Sequence, residues 1–542
     1  MAYRQRAIPV AAVKNRKKSD AKGAKNDNMK KRLQRIGSCV LLCALLLAAA
    51  LPAPVSAAST GFSDVPDTHW AADDIHRAVD LGLFQGQTKT RFGLGQPMTR
   101  AAAAVTVCRL FGWELVTPET GSYTDNQDPD AWYYSAVETA YANGAITRQT
   151  DTFRPSDPIT REELAVMLVR AMGYGTIAGL AQDLPMPFRD VTTNVGYVAM
   201  AYELGLVNGT SSTTFSPERT ATREQAAVML MRLYDSYHAA SPDKVGIAPT
   251  AEGLTDLTSY DAVAVGSARL IYAGETRLTN TMEEEQAAAL LEAVTSAGAA
   301  PLLYVSGTYT ALRGDGAQTA ELLAAAVEDS GCQGLFLDLA KLPSAQREAF
   351  TALAEDLRDQ LGDRPLYIMV EAPAWQGTAY TGYDYAALAE QADRLVVRVA
   401  AYENTAGEFP IAPLEPLEEV YYALAELRDL VDGEKLSLLL TTTGSGWSRG
   451  RHTGALPAEE IETLLDDTQT QDYYADRYAC AYLTADDGDT VVWYLDGESA
   501  LERIRMAAFF GVDQICLSDL SSVADYENYR LLETSAPENE AA

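Results

Sequence analysis

Three arginines sit where a cation is out of place. Each follows a threonine that opens an apolar helical run: Thr99-Arg100, Thr160-Arg161 and Thr222-Arg223, with the threonines 61 and 62 residues apart. Thr160 can cap its helix with Glu163 three residues on, and Thr222 with Gln225 repeats the pattern. A positive charge in the first helical turn opposes the helix dipole. Its threefold recurrence predicts an anion at each site. A helix N-terminus with an arginine fork beside it suits a carboxylate. The competing expectation is a salt bridge within the repeat, to Asp64, Asp125 or Asp190. The residues alone leave both open.

A second cluster is acidic. The stretch "GLFLDLA", 334–340, has the apolar run of a buried strand. Alternation places Phe336, Asp338 and Ala340 on one face and Leu335, Leu337 and Leu339 on the other. Other polar residues fall at the ends of predicted strands: Ser306, Glu371, Tyr402, Glu403, Thr441, Ser518 and Asp519. Paired carboxylates with separated pKa values are what glycoside cleavage needs. The alternative is a merely polar rim. Trp375 and Trp447 either stack on a sugar or cap the fold. The four histidines, His69, His76, His238 and His452, have no metal-ligand spacing, and no nucleotide or nucleophile-elbow fingerprint occurs. No cofactor or metal is expected.

The elements that carry these groups follow from periodicity. After each capping threonine, apolar residues recur at +4, +8 and +11: Leu164, Leu168 and Ala171, then Ala226, Leu230 and Leu233. The three units span 61–115, 122–175 and 186–237. One unit cannot bury its stripe alone, so the three should pack together. "HAASPDKVGIAPTAEG", 238–253, reads as a linker. Short apolar strands then alternate with amphipathic helices over 254–533, and "VGIA" at 245 is a first strand within the linker stretch itself. The other strands start at 262, 301, 334, 365, 394, 436 and 514. Eight strands with crossover helices predict a (β/α)₈ barrel, whose active sites lie at the C-terminal strand ends. Residues 475–499 read as a small inserted hairpin. The chain is therefore multidomain, an all-α three-repeat spindle followed by an α/β barrel.

Charge and targeting bound the setting. Residues 1–57 hold 12 basic and 2 acidic side chains, which leaves 31 basic and 73 acidic, a net charge of −42, for the rest. Such a body excludes nucleic-acid binding through bulk electrostatics and suits an exported protein. Met29 to Ala57 reads as a signal peptide: Lys30, Lys31, Arg32 and Arg35, an apolar core over 40–51, then Val55-Ser56-Ala57 as cleavage site. Met29 is a candidate start. An uncleaved anchor is the alternative; cleavage would leave no stable membrane span. Cys108, Cys332, Cys480 and Cys516 have no C-x-x-C spacing and read as buried thiols.

The repeats resemble S-layer homology repeats, through "FSDV", "HWA" and "TREE"-type elements in three tandem copies over about 61–237. The resemblance implies a three-pronged helical spindle that binds pyruvylated secondary cell-wall polysaccharide at the cell wall or S-layer surface. It assigns ligand roles to Asp64, Trp70 and Arg100, to Asp125, Trp132 and Arg161, and to Asp190 and Arg223. Tyr197 stands where the third tryptophan is expected, and Ala101-Ala102 follow Arg100 where the pattern has an acidic residue. A ketal carboxylate would be the anion that the arginines anticipate.

Residues 254–528 resemble glycoside hydrolase family 18, above all its spore-germination-type glycosidases, through "EAPAW", "YDYAALAEQADRLVVRVAAYEN" and "VVWYLDGESALERIRMAAFFGV". The family's fourth strand reads D-G-x-x-x-D-x-E; here it is Gln333 to Ala340. The resemblance makes Asp338 the residue that stabilises an oxazolinium formed by the substrate's acetamido group. The proton donor is replaced by Ala340, and general acid catalysis contributes roughly 10²–10⁴-fold. The family's Tyr-Asp pair becomes Tyr402-Glu403, and its strand-eight Trp becomes Ser518. This predicts a barrel without hydrolase activity, left to bind or scaffold peptidoglycan or chitin-like glycan. Two alternatives stand beside it. One is an active glycosidase on N-acetylglucosamine-containing glycan, pairing Asp338 with Glu371 or Glu403. The other is a structural barrel whose mouth contacts protein.

Overall fold

The computed structural model describes residues 62–180, 182, 185–237, 242–254, 256–373, 380–399, 411–485 and 488–523. The signal segment with Met29 lies outside the described residues, as do Trp375, Tyr402 and Glu403.

From Phe62 to Tyr237 the long elements are helices. The Thr-Arg helices are Arg100–Leu110, Arg161–Ala171 and Arg223–Tyr237. The first motifs lead into Ala72–Asp80, Tyr134–Ala142 and Val195–Glu203. Thr99 accepts from Ala102 N–H, and Thr160 with Glu163 forms the full capping box. The predicted stripe is buried throughout: Leu164, Leu168, Ala171, Ala226, Leu230 and Leu233 all lie in one core. Just before the caps, three backbone bonds close a ring. Met98 N–H donates to Ala221 C=O (2.9 Å), Ala221 N–H to Ile159 C=O (2.9 Å) and Ile159 N–H to Met98 C=O (2.8 Å). Removing any repeat would leave a donor and an acceptor unpaired at the centre.

The second half is a closed parallel barrel. Its strands are β1 (Asp243–Ala248), β2 (Ala262–Tyr272), β4 (Ala300–Thr308), β5 (Gly334–Ala340), β6 (Leu366–Glu371), β7 (Arg394–Arg398), β8 (Leu436–Leu440) and β14 (Gln514–Leu517). They pair in the order β1-β14-β8-β7-β6-β5-β4-β2, and β1 pairs with β2 to close the cylinder. All eight predicted strands are present. The linker at 238–253 needs correction, because β1 lies inside it and is pinned on both sides, Val245 opposite Cys516 and Ala262. β3 (Thr276–Asn280) adds an antiparallel edge to β2.

Alternation works as expected on β5. Phe336 fills the barrel interior with Leu302, Met369, Val396, Leu439 and Cys516. Leu335, Leu337 and Leu339 face the helical layer. Burying Phe336 contributes about 1.5–3 kcal/mol.

The expected small hairpin is a larger unit. β9 (Gly444–Ser448), β10 (Arg451–Leu456), β11 (Gln471–Ala475), β12 (Cys480–Ala485) and β13 (Thr490–Tyr494) form a five-stranded antiparallel sheet. β9 and β10 were hidden by glycines and polar residues, whose weak strand propensity is overridden by pairing of β10 with β9 and of β9 with β13. Arg503, fully buried on the helix Gly497–Phe509, ties this region together. It donates to the carbonyls of Ala479 (2.6 Å), Ser499 (2.8 Å) and Glu415 (3.0 Å). The same helix meets the repeats. Arg505 lies over the Tyr237 ring at 4.0 Å, and Tyr174 meets Phe509 edge-on. All four described cysteines are free and buried.

Candidate functional site

The three arginines and three aspartates assemble into a cyclic pattern. Asp64 accepts from the N–H groups of Phe92 and Gly93, each at 2.8 Å. Asp125 accepts from Phe153 and Arg154 at 2.7 Å, and Asp190 from Phe215 (2.8 Å) and Ser216 (2.7 Å). The arginine of the preceding repeat grips the same residue from its other side. Arg100 Nε donates to Phe153 C=O (2.8 Å), Arg161 Nε to Phe215 C=O (2.9 Å) and Arg223 Nε to Phe92 C=O (2.9 Å). Each guanidinium also lies 4.7–5.0 Å from the ring of that phenylalanine. The charged pair thus belongs to neighbouring repeats, with a loop clamped between them.

This geometry removes one of the two expectations for the arginines, the salt bridge to the aspartates. Among the described residues, no salt bridge joins Arg100, Arg161 or Arg223 to Asp64, Asp125 or Asp190. The aspartates are spent on backbone N–H groups. Burial pushes Asp64 and Asp190 up, but those N–H donors outweigh it and hold both below the usual carboxylate range. Burial lowers all three arginines, an effect that nearby carboxylates only partly oppose. Carbonyls engage Nε and Nη2 of Arg161 and of Arg223, leaving Nη1 unengaged among the described residues. Arg100 differs: its Nη1 meets Glu163 at 2.6 Å.

The aromatic ligands divide. Trp70 and Trp132 are 64% and 67% exposed, open to a ligand. Tyr197 is 7% exposed; its hydroxyl donates to Gly175 C=O (2.9 Å) and Arg170 covers its ring. Tyr197, a polysaccharide-binding candidate by its place in the repeat, is thus packed inside the fold where Trp70 and Trp132 are exposed.

At the barrel mouth, Asp338 is buried on β5. Its Oδ2 accepts from Tyr304 Oη (2.9 Å) and from Arg398, while Oδ1 is buried without a partner. Arg398 also donates to Glu371 Oε1 (3.0 Å), so one guanidinium bridges the two carboxylates. Burial raises Glu371, and Arg398 opposes part of that rise. Burial lowers Arg398, but Asp338 and Glu371 outweigh it and hold its charge firmly. Tyr304 and Arg398 were missed by the sequence reading. The signal was alternation: Leu302 and Val396 point inward, so the residues two further on do too.

The other rim candidates are engaged elsewhere. Thr441 donates to Glu415, and Ser518 Oγ accepts from Thr442 N–H (3.1 Å). Asp519 accepts from Ser521 N–H (2.9 Å), Trp447 is buried in the inserted sheet and Ser306 is half-buried. Glu403, the second candidate acid, lies outside the described residues with Tyr402. Ala340 ends β5 with no proton to give.

The comparisons with known proteins divide in the same way. Residues 61–104, 124–165 and 187–227 match the S-layer homology domain, so the chain carries three such repeats. Relatives include the exoglucanase XynX of Acetivibrio thermocellus, 31% identical over 196 residues, which are 35% of this chain and 18% of that protein. An S-layer protein of Bacillus thuringiensis subsp. finitimus is 30% identical over 190 residues, 34% of this chain and 23% of that protein. The chain thus spans less than a quarter of either relative. The repeats mark a cell-surface protein. Among solved structures, the Bacillus cereus spore cortex-lytic enzyme SleL overlaps 54% of this chain and 74% of its own at 16% identity and TM-score 0.46. A chitinase from Chromobacterium violaceum overlaps 55% and 100% at 18% identity and TM-score 0.47. Nothing about activity follows from overlaps at that level. No helix among the described residues is long and apolar enough to cross a membrane.

Proposed function

We propose that the repeats hold this protein to pyruvylated secondary cell-wall polysaccharide and that the barrel they present is a non-hydrolytic glycan-binding or scaffolding module. The arginines support the first half. Arg161, 5% exposed, and Arg223, half-buried, each keep a terminal nitrogen unengaged among the described residues at a helix start, and a ketal carboxylate that reaches it can take it in a charge-assisted bond. Trp70 and Trp132 offer flat apolar faces to the sugar rings.

One observation carries the second half. The position of the family's proton donor is Ala340, and the nearest described replacement, Glu371, is tied through Arg398 to Asp338. Arg398 opposes the upward push that burial gives Glu371 and occupies the oxygen a proton donor would use, whereas hydrolysis needs a protonated donor. Asp338 Oδ1 is still available to accept from a sugar amide or hydroxyl.

The competing reading, an active glycosidase pairing Asp338 with Glu371, draws on the upward push that burial gives Glu371. The two are separated by assaying the protein on peptidoglycan and chitin oligomers beside Asp338→Asn and Ala340→Glu. No turnover by the native chain, with glycan binding retained, supports the non-hydrolytic module. Turnover abolished by Asp338→Asn would sink it. Pull-down on isolated walls, before and after removal of the ketal, tests the anchor.

A further inference from the structure

The three grooves are built alike but are not occupied alike. In two of them the arginine Nη1 is unengaged. In the third, Arg100 Nη1 meets Glu163 Oε1 at 2.6 Å, and the same oxygen accepts from Arg154 Nη2 at 2.9 Å. The other oxygen, Oε2, accepts from Thr160 N–H at 2.9 Å and completes the capping box. One carboxylate therefore serves two guanidiniums with one oxygen and a helix end with the other.

Three side chains make this groove different, and all belong to the second repeat. Glu163 stands where the other helices have Ala102 and Gln225. Arg154 stands where they have Gly93 and Ser216, and all three residues adopt left-handed backbone, with φ of 61° at Arg154. An arginine there is strained where glycine is not, by roughly 1 kcal/mol. Tyr123 replaces Phe62 and Phe188. It is 2% exposed and its hydroxyl is buried with no partner. Tyr123, Arg100, Arg154, Glu163 and Arg170 line one cavity of about 400 Å³. Arg170 Nε is also buried without a partner.

We propose that Glu163 is an internal stand-in for the ligand's carboxylate, and that an acidic sugar enters the Arg100 groove only by displacing it. This rests on the anchoring reading above. The displaced oxygen is Oε1 alone, so the helix cap through Oε2 persists. The incoming carboxylate takes the fork of Arg100 and Arg154, and a ligand oxygen reaches the orphan hydroxyl of Tyr123. The Arg161 and Arg223 grooves need no displacement. The anchor is thus two sites with no carboxylate on Nη1 among the described residues and one gated site, and the gated one has a second cation to hold what enters.

The test is a calorimetric titration of the whole protein with a short pyruvylated oligosaccharide released from wall polysaccharide, run beside its ketal-free counterpart. Glu163→Gln removes the charge but keeps the cap, as Gln225 does in accepting from Thr222 N–H at 3.3 Å. It should add one site to those that saturate at low ligand, or tighten the weakest by about twofold to fivefold, the size expected of one partly exposed charge pair. Arg154→Ser, the residue found in the third repeat, should weaken that site while Tm stays within a few degrees. An unchanged site count and unchanged affinities in Glu163→Gln would overturn the gate while leaving the anchor standing. Equal binding of the ketal-free sugar would overturn the anchor and the gate with it.

Discussion

The repeats and the barrel use the same ion in opposite ways. In the repeats each guanidinium is braced by carbonyls and by a phenylalanine ring, and its matching aspartate is occupied by backbone N–H groups. Among the described residues, Arg161 and Arg223 each keep one terminal nitrogen unengaged at a helix start, whereas Glu163 takes that of Arg100. In the barrel Arg398 is turned inward and consumed by Asp338 and Glu371. A binding site needs an unsatisfied charge held in a rigid frame. A site that satisfies itself gains stability and loses chemistry. The comparison sets repeat arginines braced by carbonyls against a barrel-mouth arginine paired with two carboxylates.

The hardest test of that contrast is Arg398→Ala. It leaves two buried carboxylates facing each other without a cation. Breaking a buried pair in this way costs about 3–5 kcal/mol, and partial exposure of Arg398 places the expectation at the lower end. Urea unfolding of the variant should show the loss, and at a pH low enough to protonate both acids the deficit should shrink. A variant as stable as the native chain at neutral pH would mean that Arg398 is not the brace described here.

A second effect of similar size belongs to the junction between barrel and inserted sheet. Burial pushes Glu415 up to about 7, against the pull of Arg503 and of its bonds to Thr441. A carboxyl raised in the folded state binds more protons folded than unfolded. Stability therefore falls as pH rises from about 4.5 to 7, by up to roughly 3 kcal/mol from this group. Glu502, pushed up to about 6, adds to the lower part of the same window. Chemical denaturation across pH 4.5–7.5 should show this slope, and Glu415→Gln should remove most of it.

Much of this was legible in the sequence, and the failures have physical causes. The caps at Thr99 and Thr160, the apolar stripe and all eight barrel strands were readable, the last two from periodicity, which reports which face is buried; Thr222 keeps only the bond from its N–H to Gln225, its hydroxyl being buried without a partner. The inward arginine on β7 was equally legible, since Arg398 is two residues past an interior valine, yet a charged residue on a buried strand was passed over. Partnering between repeats was not legible. Residue order pairs Arg100 with Asp64, whereas the ring closure at Met98, Ile159 and Ala221 hands Arg100 to the loop of the next repeat. Nor was the buried state of Tyr197, which depends on Arg170 and Gly175. The five-stranded sheet was underestimated because β9 and β10 owe their form to pairing and not to their own composition.

The finest test asks whether the repeat arginines bind or merely brace. Arg223→Ala removes carbonyl bonds to Phe92 and Gln85 together with the outward nitrogen, so it confounds the two roles. Arg223→Lys is the sharper variant. A lysine keeps the charge and can reach one carbonyl, but it cannot hold the carbonyl and a ligand carboxylate in one planar fork. If the outward nitrogen binds the wall, Arg223→Lys should weaken attachment to pyruvylated walls by about tenfold, one charged hydrogen bond's worth, while Tm moves only a few degrees. If the arginine is a brace alone, Tm should fall and wall affinity per folded molecule should hold. Sedimentation with purified walls, scored beside a thermal melt of the same preparation, distinguishes the two. The second result would make the repeats resemble the barrel, with their charges satisfied within the fold, and the contrast drawn above would fail.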